Sequence, residues 1–276
     1  MNVIKQLFNF YLNSSVHVAL AAVSLTSITQ NEFRIDGGFN LLCFVFFATI
    51  TGYNFVKFYG IAKWHYRSLS NWLKVIQLFS LVCFLFMCYF MLLLELKTLL
   101  YISVFAVVTF LYAIPILPKR YYLDSNHNLR DISGLKVYII GLVWVGVTVV
   151  LPVLNNDSAI NADVIITGVQ RFVFVIALML PFEIRDLALD NFKLATIPQK
   201  IGIKQTKILG LLLLMLFLFL ESMKTNGGGE DFMILAVVSL CTAGFILFSK
   251  TNNSPYYSAF WVEGIPILWL FLTVFS

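Results

Sequence analysis

Long apolar runs alternate with short polar ones along the whole chain, and nine runs are free or nearly free of charge: about 14–30, 39–56, 75–94, 98–118, 137–156, 164–182, 208–220, 232–249 and 256–275. A hydrocarbon core of about 30 Å is crossed by roughly 20 helical residues, so this pattern predicts nine transmembrane helices. The first run is only weakly apolar, opening on Asn13-Ser14-Ser15 and closing on Thr26 to Gln30. The seventh is short and needs Lys207 and Glu221 to snorkel at its ends.

Composition agrees with the pattern. Of 276 residues 60% are hydrophobic and 12% charged, with a mean hydropathy of +0.87. Soluble domains hold roughly 45–50% apolar residues, so a soluble globular protein is excluded. No repeat, low-complexity tract or linker interrupts the runs, and Gly227-Gly228-Gly229 reads as a turn, so a single transmembrane domain over 1–276 is expected. The opening residues lack a small-residue cleavage pattern, which favours a retained first helix over a signal peptide. Cys43, Cys83, Cys88 and Cys241 lie in apolar runs without C-x-x-C spacing and read as buried thiols.

The net charge of +5 would suggest nucleic acid in a soluble protein, but here it follows from orientation, and no nucleic-acid partner is expected. With the N-terminus cytoplasmic, one side carries Lys5; Lys57, Lys63, Arg67 and Lys74; Lys119, Arg120, Arg130 and Lys136; Arg185, Lys193, Lys200, Lys204 and Lys207; and Lys250. The other side carries Arg34, Lys97 and Lys224, and Arg171 falls within a span. That is 15 against 3, which places the N-terminus and the long loops near 57–74, 118–136 and 183–207 in the cytoplasm. Nine spans then put the C-terminus on the opposite side.

The loop after the sixth run carries the densest chemistry. Beyond Pro181, whose missing N–H weakens the helix, Glu183, Asp186, Asp190 and Lys193 follow at spacings of three, four and three. If helical, they form one stripe. Three carboxylates on a stripe repel unless a cation lies between them, and hard oxygen donors suit Mg²⁺ bridging to a phosphate. A solvated helix end with Asp190 paired to Lys193 accounts for the same spacing.

Arg185-Asp186-x3-Asp190, followed by Ala195-Thr196-Ile197-Pro198-Gln199-Lys200-Ile201-Gly202, resembles the second aspartate motif of the UbiA-type intramembrane prenyltransferases. The stretch from Tyr112 through Pro115, Pro118, Lys119 and Arg120, continuing Leu129-Arg130 to Gly134-Leu135-Lys136, is similar to that family's loop between helices four and five. The resemblance implies an all-α bundle of nine helices around a central cavity, closed at the cytoplasmic face by Asp-rich loops that hold Mg²⁺ and the diphosphate of a polyprenyl donor. On this sequence it implies Asp186 and Asp190 as metal ligands at one magnesium site, with Glu183 completing the coordination or accepting a proton. It makes Lys119, Arg130 and Lys136 candidate phosphate or loop-closing cations.

The family's first motif, N-D-x-x-D-x-x-x-D, departs here. The aligned segment reads Asn54-Phe55-Val56-Lys57-Phe58-Tyr59-Gly60-Ile61-Ala62, in which only the Asn is kept, and the resemblance implies Asn54 as a substrate-binding residue. Phe55, Phe58 and Ala62 cannot ligate magnesium. Lys57 and Lys63 are expected either to place an ammonium directly on phosphate or to anchor the helix at the interface. Tyr53, Tyr59, Trp64 and Tyr66 around them are either belt residues or ring faces for an allylic cation.

Two charges fall inside spans. At 1.5 Å per residue Arg171 and Glu263 lie at depths that differ by only about 6 Å, so a structural ion pair between them is expected, with a cavity-lining role as the alternative. Asn13 and His17, spaced i, i+4, are candidates to face the same cavity, and none of the three histidines is expected to form a catalytic dyad. The function expected is transfer of a polyprenyl group from its diphosphate to an unidentified hydrophobic acceptor in the bilayer. A noncatalytic isoprenoid- or lipid-binding homologue is the first alternative and a small-molecule transporter the second.

Overall fold

The computed structural model describes residues 3–35, 38–64, 71–113, 136–187, 196–225 and 229–276; the side chains of 58–64, 71, 108, 110–113 and 229–231 lie outside that description. Among the described residues the chain is helical: α1 Val3–Asn13, α2 Val16–Glu32, α3 Phe39–Trp64, α4 Asn71–Leu92, α5 Leu96–Ala113, α6 Lys136–Val145, α7 Leu151–Asn155, α8 Ala162–Asp186, α9 Ile197–Glu221, α10 Gly229–Phe248 and α11 Ile265–Phe275. Each predicted apolar run carries a helix. Six, however, are long and apolar enough to cross a membrane, seven when the bent pair α1–α2 counts as one span, and Leu96–Val107 and Phe232–Phe248 are shorter. The protein is an integral multi-pass membrane protein, with six to seven candidate crossings among the described residues besides the two shorter apolar helices.

Burial separates central from peripheral helices. In α8, 61% of the most apolar window is buried, against 11% in the span Trp72–Leu92. Leu78, Leu85, Val104, Met215 and Phe271 are all more than half exposed, as surfaces that face lipid are. α8 packs along α9, α6 and α10, while α2 packs on α3 and α11. Phe174 of α8, Phe217 of α9 and Trp269 of α11 meet between these helices, with ring centroids 5.1–5.6 Å apart.

Two π-helical turns precede prolines. Gly146–Val150 joins α6 to α7 ahead of Pro152, and Tyr257–Val262 precedes Pro266 of α11. Proline offers no N–H to the carbonyl four residues back, and here that carbonyl belongs to Thr148 and to Val262, each inside a wide turn. α8 instead continues through Pro181 to Asp186.

The end of the bundle formed by the C-terminus of α2, the N-terminus of α8 and the C-terminus of α9 is closed by buried polar contacts. Lys224 Nζ lies 2.7 Å from Glu32 Oε1 and 2.8 Å from Glu221 Oε2, and Gln170 Nε2 donates to Glu221 at 3.0 Å. Thr225 donates through its backbone N–H and its hydroxyl to Asp163. Arg171 lies deeper and is 1% exposed. Its guanidinium donates to Leu25 O at 2.9 Å and Thr29 Oγ1 at 3.4 Å, and it stands 5.1 Å from the centre of the Trp269 ring. Glu32 is the carboxylate whose charge reaches it. The expected ion pair of Arg171 with Glu263 is therefore not formed: Arg171 turns to Leu25 and Thr29 of α2, whereas the turn that carries Glu263 meets α2 at His17, about two to three turns away. The four cysteines are free thiols, of which Cys83 is buried and Cys43, Cys88 and Cys241 are partly exposed rather than buried as expected.

Candidate functional site

The opposite end of the bundle is built around the break between α1 and α2, which meet at 53°. Ser15 holds the break in the left-handed region at φ 65°. An L-residue there needs support, and Asn54 of α3 supplies it. Ser15 Oγ donates to Asn54 Oδ1 at 2.8 Å, and Asn54 Nδ2 donates to Ser14 O at 3.0 Å and to Ser80 Oγ of α4 at 2.8 Å. Asn54 is 2% exposed. Its amide is thus committed to bracing four elements, and the expected role in substrate binding finds no free donor in this arrangement.

Lys57 stands one turn further along α3 and donates from Nζ to Asn13 O at 3.2 Å, a carbonyl left over at the end of α1. Tyr53, one turn earlier, accepts from Trp144 Nε1 of α6 at 3.0 Å. Asn13 itself donates to Asn9 O. His17 lies beyond the break, so the two do not share a face as i, i+4 neighbours would. His17 instead links three elements: Nε2 is 2.9 Å from Phe260 O in the second π turn, and Nδ1 is 2.6 Å from Tyr11 Oη of α1. Phe260 O can only accept, so Nε2 carries the proton and Nδ1 accepts from the tyrosine.

The acidic residues at the end of α8 separate instead of gathering. Glu183 is 4% exposed, and its Oε2 accepts from Ile197 N at 3.1 Å, so it sits at the N-terminus of α9 where orphan N–H groups and the helix dipole favour a carboxylate. Gln199 Oε1 accepts from Thr196 N at 3.0 Å in the same turn, and Gly202 breaks the first turn of α9 with φ 81°. Asp186 has both oxygens on its neighbour, with Arg185 Nε to Oδ1 at 2.7 Å and Arg185 NH2 to Oδ2 at 3.0 Å.

Asp190, Lys119 and Arg130 lie outside the described residues, and so does the side chain of Lys63. Lys136 opens α6 and is half-buried. Among the described residues no three acidic, His or Cys side chains come together. Asp186 is engaged by Arg185 and Glu183 is turned to α9, while Asp190, the other residue expected to hold magnesium, lies outside the described residues.

One carboxylate at this end was passed over in the sequence as half of a structural pair. Glu263 follows the π turn Tyr257–Val262 and is only partly buried, and the charges of Lys57 from α3 and Arg185 from α8 both act on it. The signal was present, since a lone ionisable residue in an apolar span marks a candidate site by itself.

The order and packing of these helices are shared with a solved membrane-protein structure. A solved structure of a digeranylgeranylglyceryl phosphate synthase in membranes superposes with a TM-score of 0.55 over 98% of this chain and 96% of that one, at 15% identity. No family model and no curated protein sequence matches the chain.

Proposed function

We propose that the chain is a prenyltransferase that moves a polyprenyl group from its diphosphate to a hydrophobic acceptor within the bilayer. The observation that carries the reading is the convergence of Lys57, Arg185 and Glu263 at one end of a bundle whose fold is shared with a digeranylgeranylglyceryl phosphate synthase.

The chemistry asks for that charge. As the allylic C–O bond ionises, negative charge grows on the leaving diphosphate, and fixed cations in a low-dielectric site stabilise it without reorganising. Lys57 and Arg185 supply such charge from two different helices, and Lys63, Lys119, Arg130 and Lys136 are further cations that the sequence assigns to the same end. The magnesium site at Asp186 and Asp190 stands as a separate proposal, tested by metal titration, and no step above depends on it. The charge bias supports a cytoplasmic position for this end and for the N-terminus, with the C-terminus across the membrane.

The test is incubation of the reconstituted protein with labelled prenyl diphosphates of several lengths and a panel of acceptors, with and without Mg²⁺. Prenylated acceptor should form, at a rate lowered at least tenfold in Lys57→Ala. Asp186→Ala reads the metal proposal through its effect on magnesium dependence. Binding of prenyl diphosphate without transfer would replace this reading with that of a noncatalytic isoprenoid-binding protein, and neither binding nor transfer would overturn both.

A further inference from the structure

We propose that Glu263 receives the proton of an acceptor hydroxyl, so that the acceptor is a neutral alcohol or phenol. The inference rests on the prenyl-transfer reading and deepens it.

Transfer to an oxygen acceptor has a proton to place. The prenyl C1–O bond breaks with its electron pair leaving on diphosphate, and an acceptor oxygen lone pair forms the new C–O bond. The O–H pair stays on oxygen while the proton moves to a base. Inside an apolar bundle that base must be a side chain within hydrogen-bond reach of the acceptor.

Elimination among the described residues at this end leaves one group. Lys57 and Arg185 are cations and have no acceptor atom. Asp186 has both oxygens on Arg185, and Glu183 is buried against the α9 N-terminus. His17 has both ring nitrogens engaged. Glu263 makes no hydrogen bond and no ion pair among the described residues, and the residue is partly rather than fully buried.

The backbone that carries Glu263 is fixed from three sides. Glu263 N donates to Ser258 O at 3.1 Å, five residues back, and Gly264 N donates to Phe260 O at 2.9 Å. The same Phe260 oxygen takes the His17 bond, and His17 is held by Tyr11. A Cβ at residue 264 would stand 2.8 Å from Phe260 O and 3.3 Å from His17 Nε2, so glycine lets the chain pass His17. A carboxylate with free oxygens on a backbone locked to α1 and α2 is preorganised for a bound group and does no packing work that would explain it. The titratable and charged groups facing it are Lys57 from α3, Arg185 with Asp186 from α8, Tyr11 from α1 and His17 from α2. The two cations hold the carboxylate beside the diphosphate end of the donor, and the same carboxylate repels an anionic acceptor head.

The experiment compares wild type, Glu263→Gln and Glu263→Asp in reconstituted vesicles. Binding of a non-ionising prenyl thiodiphosphate should stay within about threefold in all three. Transfer to alcohol and phenol acceptors should fall about 10²-fold or more in Glu263→Gln, the range expected for loss of a general base, with partial activity in Glu263→Asp. The acidic limb of the kcat/KM–pH profile should vanish in Glu263→Gln. A hydrophobic carbodiimide, which adds to accessible carboxyl groups as an N-acylurea, should label residue 263 of the wild type, and acceptor should protect it.

Transfer by Glu263→Gln within threefold of wild type with the acidic limb kept, loss of thiodiphosphate binding in that variant, or a wild-type Glu263 that resists the carbodiimide would each overturn the assignment. A wild type that binds the thiodiphosphate and transfers to no acceptor would overturn the prenyl-transfer reading, and this inference with it.

Discussion

Asn54 separates two accounts of the degenerate first motif. The resemblance to UbiA-type enzymes implies that it touches substrate, whereas its three hydrogen bonds make it the brace of the α1–α2 break. In Asn54→Ala all three are lost inside a site where Asn54 is 2% exposed and Ser14 fully buried. At about 0.6–1 kcal/mol for each buried bond in a membrane bundle, the loss is about 2–3 kcal/mol. Ser80 keeps its bond to Ile76 O, which places the estimate toward the lower end. At roughly 2–4 °C per kcal/mol for a chain of this size, Tm should fall by roughly 4–12 °C. The assay is thermal unfolding in detergent followed by circular dichroism, paired with the Kd for a prenyl thiodiphosphate measured well below the transition. A Tm within 2 °C of wild type together with a tenfold weaker Kd would refute the brace and return Asn54 to the substrate.

The polar contacts at the opposite end should respond according to burial. Lys224→Met removes the cation from Glu221, whose side chain is 6% exposed and keeps only the Gln170 amide, and should cost about 3 kcal/mol, read as a fall in Tm; Glu32, 27% exposed, adds little to that figure. Lys97, which pairs with Glu95 and Asp157 at the surface, should be replaceable by Met with no change in Tm. Gly202→Ala meets no atom within 4 Å, so its effect isolates backbone strain at φ 81°, expected at about 1–3 kcal/mol in the same melt.

The positions of the helices were legible because the bilayer imposes one length on every crossing element, and apolar runs of that length stand out in any sequence. The breaks inside helices were not. Asn13-Ser14-Ser15 read as a weak start to a span, yet α1 precedes it and the three residues form a kink whose left-handed Ser15 depends on an amide 39 positions away. Nothing local to Tyr257–Val262 marks a π turn, because its widened register is fixed by Pro266 on one side and by His17 on the other.

The site shows the same division. Depth arithmetic put Arg171 and Glu263 at similar heights, yet Arg171 meets Leu25 and Thr29 of α2 while the turn that carries Glu263 meets His17, about two to three turns away along the same helix, and the two belong to different networks. Spacing put Glu183 and Asp186 on adjacent positions of one helix, and there the helix is formed. What spacing could not supply is what each carboxylate meets, which is the N-terminus of α9 for one and Arg185 for the other.

Phe55, Phe58 and Ala62 stand where the resembled motif has aspartates, and Lys57 stands at a position that motif leaves open, so α3 brings a cation and no carboxylate to this end of the bundle. Lys57 presents attraction directly, and its ammonium is steered by Asn13 O at the break that Asn54 maintains. Asn54 and Lys57 therefore act together: the first fixes the α1 terminus, and the second uses the carbonyl exposed there as its own anchor. Arg185 is held by Asp186 and Lys57 by Asn13 O, and Glu263 is set near both as a carboxylate with no hydrogen bond to a described residue. An arrangement that only stabilised the fold would pair that carboxylate; leaving it open beside two cations makes it available to a ligand.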